Sequence, residues 1–251
     1  MGMISLELYK LRRKHLFLTV ILFLFVEIGW AFIATSMSIA RNPDNAGWEA
    51  LIAMLSSMNG LFLPVLVAVC VSRICDMEHK GNTWKMLLTL SVRPGALYSA
   101  KYASACFIMF VPCVLQVLAI ATYGIINGFG QPVPIFLLFR FLAGIVITNM
   151  TVTAFQQWVS MTVKNQAFAL ALGMIGGFTG MAADLFPEGI RRIFVWSYYT
   201  GLSPVTQSYT SENIQFIIRD AGSLLPVMLV LIAAGIGIYL AGCVHVTRQE
   251  V

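Results

Sequence analysis

Residues 16–39 read LFLTVILFLFVEIGWAFIATSMSI, and the only charged side chain in this stretch is Glu27. A helix of about 20 mostly apolar residues is long enough to cross the hydrocarbon core of a bilayer. The basic run Arg12-Arg13-Lys14 precedes the stretch, as it would in a signal peptide. The apolar stretch is, however, longer than a signal-peptide core of roughly 7–15 residues, and it lacks a small-residue cleavage site. It therefore predicts a retained transmembrane helix.

The rest of the chain has the same character. Of its 251 residues 59% are hydrophobic and 11% are charged, whereas a soluble globular domain has about 25% charged residues. Mean hydropathy is +0.82. These values exclude a sizeable soluble catalytic domain. They predict an all-α polytopic membrane protein in which residues 1–251 form one domain, with spans at about 16–39, 51–72, 102–126, 135–161, 166–186 and 224–246.

The distribution of basic residues predicts the orientation of these spans. The segments 1–15, 73–101, 162–165 and 247–251 contain 11 of the 16 lysine and arginine residues. Cytoplasmic loops carry an excess of lysine and arginine. With six spans both termini lie on the same side, and we expect that side to be the cytoplasm.

Two segments outside the spans have amphipathic patterns. Residues 3–14 predict a helix in the plane of the membrane surface, although a basic topology signal without a defined helix would have a similar sequence. Residues 187–223 contain two short amphipathic stretches, one near Arg191 and Arg192 and one next to Arg219. These stretches could enter the outer leaflet or cap a cavity, or they could belong to an ordinary interfacial loop.

The loop between the second and third spans has the most informative pattern. Residues 73–94 read RICDMEHKGNTWKMLLTLSVRP, with the charges concentrated before Trp84 and Lys85 and with apolar residues after them. Gly81 and Pro94 lie on either side of the apolar residues. The pattern predicts a short amphipathic helix at about 76–90, with an apolar face suited to docking on another protein.

These residues resemble the permease subunits of ABC-2-type ABC transporters. The resemblance is carried by Glu78, Gly81, Thr83, Leu87-Leu88, Arg93-Pro94 and Lys101. The run Asn82-Thr83-Trp84-Lys85, with Leu87-Leu88 and Tyr98-Ser99-Ala100-Lys101, is similar to the lantibiotic-immunity and bacitracin-resistance branch. One departure is Gly81-Asn82-Thr83, where this loop more often has Gly-Thr.

The resemblance implies that the loop is a coupling helix that docks on a separate ATP-binding subunit. The docking residues would be Glu78, Gly81, Asn82, Thr83, Trp84, Lys85, Leu87 and Leu88, with Glu78 as the anchor. ATP and Mg²⁺ would then be bound by the partner ATPase dimer, and a second permease subunit, expected to be non-identical, would complete the transporter. The implied activity is export of lantibiotic-type peptides from a bacterial cell membrane, giving immunity or resistance.

An alternative from another class is a non-transporting membrane sensor or scaffold that recruits a cytoplasmic partner through the 76–90 loop. A further alternative is an intramembrane enzyme that uses Glu27 and Arg140, two charged residues within predicted spans. Glu27 could relay protons or bind substrate, or it could be a hydrogen-bonded packing residue. Arg140 could extend to the outer interface, or it could pair with Glu27 or an anionic ligand.

Uncharged polar residues and glycines add two more expectations. Asn149, Gln156 and Gln157 form a polar stripe on span four, which predicts either interhelical hydrogen bonds or a lined cavity. Span five contains two overlapping G-x-x-x-G pairs, formed by Gly173, Gly176, Gly177 and Gly180. Small residues of this kind permit close helix packing, either within the subunit or against the partner permease.

Several motifs are missing from the sequence. It contains no G-x-x-x-x-G-K-[ST], no H-E-x-x-H and no G-x-S-x-G. We therefore expect no ATP site, zinc site, catalytic residue or cofactor on this chain. Its net charge of +5 is explained by topology and requires no nucleic-acid partner.

Overall fold

The computed structural model describes residue 9 and residues 16–81, 94–129, 132–163, 165–209 and 214–248. Within these ranges the chain is mostly helical, and five helices are long and apolar enough to cross a membrane. They are α1 (Leu16–Arg41), α2 (Trp48–Gly81), α3 (Pro94–Ile126), α4 (Ile135–Thr162) and α8 (Ala221–Arg248).

Shorter elements complete the described chain. Helix α5 is Gln166–Met181, α6 is Glu188–Arg191 and α7 is Tyr198–Gly201. Three 3-10 helices cover Pro43–Asn45, Ala183–Leu185 and Val195–Ser197. Strands β1 (Val205–Tyr209) and β2 (Ile214–Ile218) pair antiparallel, with Val205 opposite Ile218 and Tyr209 opposite Ile214.

The mostly helical structure is consistent with the predicted all-α membrane fold, to which the hairpin is an addition. The second strand of the hairpin is the stretch before Arg219 that was predicted to be one of two amphipathic segments. The sequence IQFII is rich in β-branched and aromatic residues, which favour strands. The described residues are therefore mostly helical and include this β-hairpin.

The predicted spans agree with the long helices, with two exceptions at the charged ends. Helix α2 continues to Gly81, so residues 76–81 of the predicted 76–90 element belong to it. Helix α3 begins at Pro94 instead of residue 102, and proline is well suited to the first turn of a helix. Lys101, expected in a cytoplasmic segment, is buried within α3 and donates from Nζ to the Ile74 carbonyl (3.1 Å).

The predicted fifth span, 166–186, is shorter in the structure. Helix α5 ends at Met181 and has 16 residues, about 24 Å of rise, and a 3-10 helix follows it. Its N-terminus is capped by Asn165, whose Oδ1 accepts from the backbone N–H of Ala167 (3.0 Å).

Helix α2 lies at the centre of the bundle, in contact with α1, α3, α4, α5 and both strands. Helices α1 and α8 are peripheral and carry strongly exposed apolar side chains, such as Phe25 (77% exposed). In a membrane such side chains face lipid. Buried apolar side chains pack around α2 in two clusters, one centred on residues 63–75 and one on residues 51–55.

The segment between α5 and β1 enters the bundle from the end where α2 begins. The backbone of Gly180, near the end of α5, packs against Gly60, which is about 18 Å along α2 from Trp48. Tyr199 reaches Asn149, about 21 Å along α4 from Ile135. Residues 195–203 therefore fill the space beyond the end of α5, with Trp196, Ser197 and Tyr199 buried.

Candidate functional site

Buried polar side chains from five helices lie near the middle of the bundle. This polar cluster consists of Glu27 on α1, Asn59 on α2, Cys113 and Gln116 on α3, Asn149 on α4 and Tyr199 on α7. Cys113 and Gln116 are three residues apart on α3, so they lie on one face of that helix. The cluster is therefore a continuous polar region within an apolar bundle.

Gln116 links three helices. Its Nε2 donates to Glu27 Oε2 (3.0 Å) and to Asn59 Oδ1 (2.8 Å). On the other side of the cluster, Asn149 Nδ2 donates to Cys113 Sγ (3.1 Å), and the Tyr199 hydroxyl donates to Asn149 Oδ1 (2.6 Å). Hydrogen bonds of this kind hold transmembrane helices together.

Three atoms of the cluster have unused hydrogen-bonding capacity. Glu27 Oε1, Gln116 Oε1 and Asn59 Nδ2 are buried and have no hydrogen-bond partner among the described residues. Buried polar atoms in native proteins are nearly always hydrogen-bonded, often to ordered water. Ordered water bound among these two acceptors and one donor would satisfy them.

An apolar cavity of about 240 Å³ lies beside the cluster, between α3 and α4. Its wall includes Phe107, Phe110 and Met150, all of which are exposed on the membrane-facing surface. Its polar lining includes Asn149 and Cys113 of the cluster. The cavity therefore connects the lipid-facing surface with the polar cluster.

Arg140 lies elsewhere. Its guanidinium donates to the Arg219 carbonyl (2.6 Å) and lies 5.9 Å from the centre of the Phe136 ring. Within the described residues no ion pair joins Arg140 to Glu27, which is bonded to Gln116 instead. The structure does not bring together the two charges that an intramembrane enzyme would need.

Gln156 and Gln157 also bond between segments. Gln156 Nε2 donates to the Ala169 carbonyl of α5 (2.6 Å), and Gln157 Nε2 donates to the Tyr98 carbonyl of α3 (2.9 Å). Both side chains are buried. With Asn149 they form interhelical hydrogen bonds that connect α4 to α3, α5 and α7.

The four glycines of α5 pack within the subunit. A Cβ built on Gly173 would lie 2.1 Å from Ala68 Cβ, and one on Gly177 would lie 2.7 Å from the Leu61 carbonyl oxygen. On Gly176 it would lie 2.4 Å from Trp196 Nε1. The glycine face therefore receives α2 and the indole of Trp196, and no larger residue fits without displacing them.

A family model described as ABC-2 family transporter protein matches residues 3–180. The chain belongs to the ABC-2 transporter family. No curated protein gives a significant match. Family membership makes this chain a transmembrane subunit of an ABC transporter, a transport component that is generally non-catalytic, and it implies association with an ABC ATPase subunit.

The structure describes two of the predicted docking residues of this ABC-2 chain, both at the end of α2. Glu78 and Gly81 are in the last turns of α2. Asn82, Thr83, Trp84, Lys85, Leu87 and Leu88 lie outside the described residues, as does most of the predicted N-terminal helix. At the same end, Trp158 Nε1 of α4 donates to His245 Nδ1 of α8 (2.9 Å).

Sequence reasoning missed Asn59, Gln116 and Tyr199. Asn59 and Gln116 are isolated polar residues within apolar spans, the same signal that drew attention to Glu27. Tyr199 gave no such signal, because it lies far from the spans in sequence and is brought to Asn149 only by the fold. Within the described ranges no three His, Cys, Asp or Glu residues converge on a point that could hold a metal ion.

Proposed function

We propose that the chain is the permease subunit of an ATP-driven exporter that removes lantibiotic-type peptides from a bacterial cell membrane. The family match over residues 3–180 carries this proposal, because it includes the 76–90 segment expected to dock on the ATPase. The peptide cargo follows from the sequence resemblance to the immunity branch.

In the proposed arrangement α5 and the 3-10 helix after it serve as the fifth of six spans. Both termini are then cytoplasmic, on the side where α2 ends. The basic residues support this orientation, because Arg73, Lys101 and Arg248 belong to the same end of the bundle.

ATP and Mg²⁺ are bound by a separate ATPase dimer in this proposal. Closure of that dimer moves residues 76–90, and the continuous helix of α2 transmits the movement to the bundle centre, where α2 contributes Asn59. A second, non-identical permease subunit completes the transporter.

The polar cluster and the adjoining cavity support an amphipathic cargo. The cavity offers a largely apolar wall reachable from the lipid-facing surface, and Asn149 provides a polar contact inside it. An apolar peptide side chain with a nearby polar backbone matches both features.

The deciding experiment is co-expression of the chain with its genomic neighbours, followed by purification and measurement of ATP hydrolysis with and without a panel of lantibiotics. We expect an ATPase to co-purify and its turnover to rise with one class of peptide. Recruitment of a partner without ATPase activity would contradict the exporter and support the sensor or scaffold.

Variants of the docking segment test coupling directly. Glu78→Gln and Trp84→Ala are expected to lower ATPase co-purification or peptide-stimulated turnover at least about tenfold, because each removes an anchor of the interface. Glu49→Gln, at the opposite end of α2, and Trp30→Ala, on the exposed face of α1, are matched controls. Normal peptide resistance in both docking variants would refute the docking assignment.

A further inference from the structure

A cavity of about 490 Å³ opens beside the start of α8, between that helix and the segment around α6 and α7. Three arginines line it, Arg191, Arg192 and Arg219, together with a single carboxylate, Glu188. Ser197, Tyr198 and Ser223 add polar lining. The lining therefore carries a local excess of positive charge.

Two ion pairs lie at this cavity, and the carboxylate of each is exposed. Arg191 lies 3.0 Å from Asp184, whose side chain is 55% exposed, and Arg192 pairs with the exposed Glu188. The Arg192–Glu188 pair is exposed on both sides and contributes little free energy. The Arg191 side chain is only 20% exposed, so another anion would compete with Asp184 from the exposed side of that pair. Asp220 is outside the lining, where its Oδ2 accepts from the backbone N–H of Ser223 (3.2 Å).

Arg219 is held in place by backbone carbonyls, and the carboxylates of Asp184 and Glu188 act on it electrostatically. Its Nη1 donates to the carbonyls of Gly201 (2.7 Å) and Thr200 (3.2 Å), and no carboxylate of the described ranges forms an ion pair with it. Arg191 approaches the same turn, donating to Thr200 Oγ1 (3.1 Å). Burial, followed by the neighbouring Arg191 guanidinium, lowers the pKa of Arg219. Two guanidiniums fixed on one turn favour an anion with several oxygens.

The surroundings of the cavity are those of a membrane boundary. Leu185 (86% exposed) and Ile193 (74% exposed) are next in sequence to the lining residues Phe186 and Arg192, and they would be costly to expose to water. On α8, Val227 lines the cavity, and Val230 follows three residues later with 65% exposure. The cavity lining thus combines arginines with apolar residues of α8, a helix with an exposed apolar surface.

We propose that this cavity binds the phosphate of a lipid headgroup, with Arg191 and Arg219 as its ligands and an acyl chain along Val227 and Val230. The planar forks of arginine match phosphate oxygens in pairs. Arg192 adds charge at the opening. This inference is independent of the cargo and of the orientation of the chain in the membrane.

The test is native mass spectrometry of the purified full-length chain with its partners, titrated with phosphatidylglycerol and with diacylglycerol of the same chains. We expect phosphatidylglycerol to bind and diacylglycerol not to compete. Arg191→Gln and Arg219→Lys should each weaken binding about tenfold, since each removes a paired, charge-assisted contact. Arg41→Gln, at the end of α1 outside the cavity, should leave binding within about twofold.

Three outcomes would overturn the proposal or part of it. Equal phosphatidylglycerol affinity in wild type, Arg191→Gln and Arg219→Lys would refute the proposed lipid site. An equal loss of phosphatidylglycerol affinity in Arg41→Gln would show that the binding depends on general surface charge and not on this cavity. If inorganic phosphate or glycerophosphate binds as tightly as the lipid, the ligand of the cavity is a soluble phosphate and not a lipid headgroup.

Should Arg219→Lys fail to fold, Arg191→Gln and Arg192→Gln carry the test, with thermal unfolding as the folding control. The assay uses neither ATP nor peptide, so its result does not depend on the exporter proposal.

Discussion

Glu27 is the acidic residue whose position in an apolar helix most requires an explanation. Placing a charge at the centre of a membrane helix costs about 2.5–3.5 kcal/mol on insertion scales. In the structure the Glu27 side chain is buried (1% exposed) and accepts a hydrogen bond from Gln116. That bond accounts for one carboxyl oxygen, and the other is buried without a hydrogen-bond partner among the described residues.

Substitution of Glu27 separates packing from ionisation. Glu27→Gln keeps an oxygen that can accept from Gln116, so we expect near-normal thermal stability and peptide-stimulated ATPase activity. Glu27→Leu leaves a buried amide hydrogen of Gln116 without its acceptor and should cost about 1–3 kcal/mol of stability. Thermal unfolding in detergent and ATPase assays measure both effects. Loss of activity in Glu27→Gln with unchanged unfolding would instead indicate an ionisable role.

At the scale of the element, α5 is defined by close packing. Its glycines bring its backbone against α2, and the contact of Gly180 with Gly60 is backbone against backbone. The helix ends there, and the chain continues as the segment that carries Trp196 and Tyr199 into the bundle. The short length of α5 and the inward position of that segment are thus two consequences of one arrangement.

Gly180→Ala tests this packing. Its Cβ would lie 2.3 Å from the Gly60 carbonyl oxygen, and we expect a loss of about 1–3 kcal/mol, because backbone cannot yield as a flexible side chain does. Gly237→Ala is the control, since a Cβ there meets nothing within 4 Å and alanine favours the helix. Thermal unfolding of both variants gives the comparison. A Gly180→Ala protein as stable as Gly237→Ala would show that the two helices are less closely packed than described.

At the scale of the whole molecule, the two ends of the bundle differ in structure. One end carries the turn at 42–47, the hairpin and the start of α8. At this end Trp48 packs edge-on against Phe129 with ring centroids 5.6 Å apart. The other end carries the end of α2 and the start of α3, where Lys101 bonds to Ile74. A membrane protein with a fixed orientation places two such different ends on opposite sides of the bilayer.

Labelling of cysteines introduced one at a time, in intact cells, tests the orientation. Asp44→Cys and Gln215→Cys, both exposed at the hairpin end, should react with a membrane-impermeant maleimide. Thr83→Cys and Gln249→Cys should react only after the membrane is opened, because basic segments stay in the cytoplasm. The unsubstituted chain is the background control for its five native cysteines, none of them disulfide-bonded. Reaction of Gln249→Cys in intact cells would contradict cytoplasmic termini.

The sequence by itself determined the membrane class, the positions of the long helices and the transporter family. Apolar runs such as residues 16–39 are local signals, because lipid imposes the same length on every helix that crosses it. The motif between the second and third spans is likewise contiguous in sequence. Glu27, Asn149 and Gln156 could be identified because polar residues are rare in apolar spans.

Only the tertiary structure decided how the segment between α5 and α8 folds and which polar residues meet. The hairpin, the early end of α5 and the pairing of Tyr199 with Asn149 depend on contacts between residues far apart in sequence. Short amphipathic stretches around 190 and 215 fit a helix or a strand equally well, because they contain too few residues to define a period. Packing against α2, through glycines whose partners the sequence does not name, selected the structure that forms.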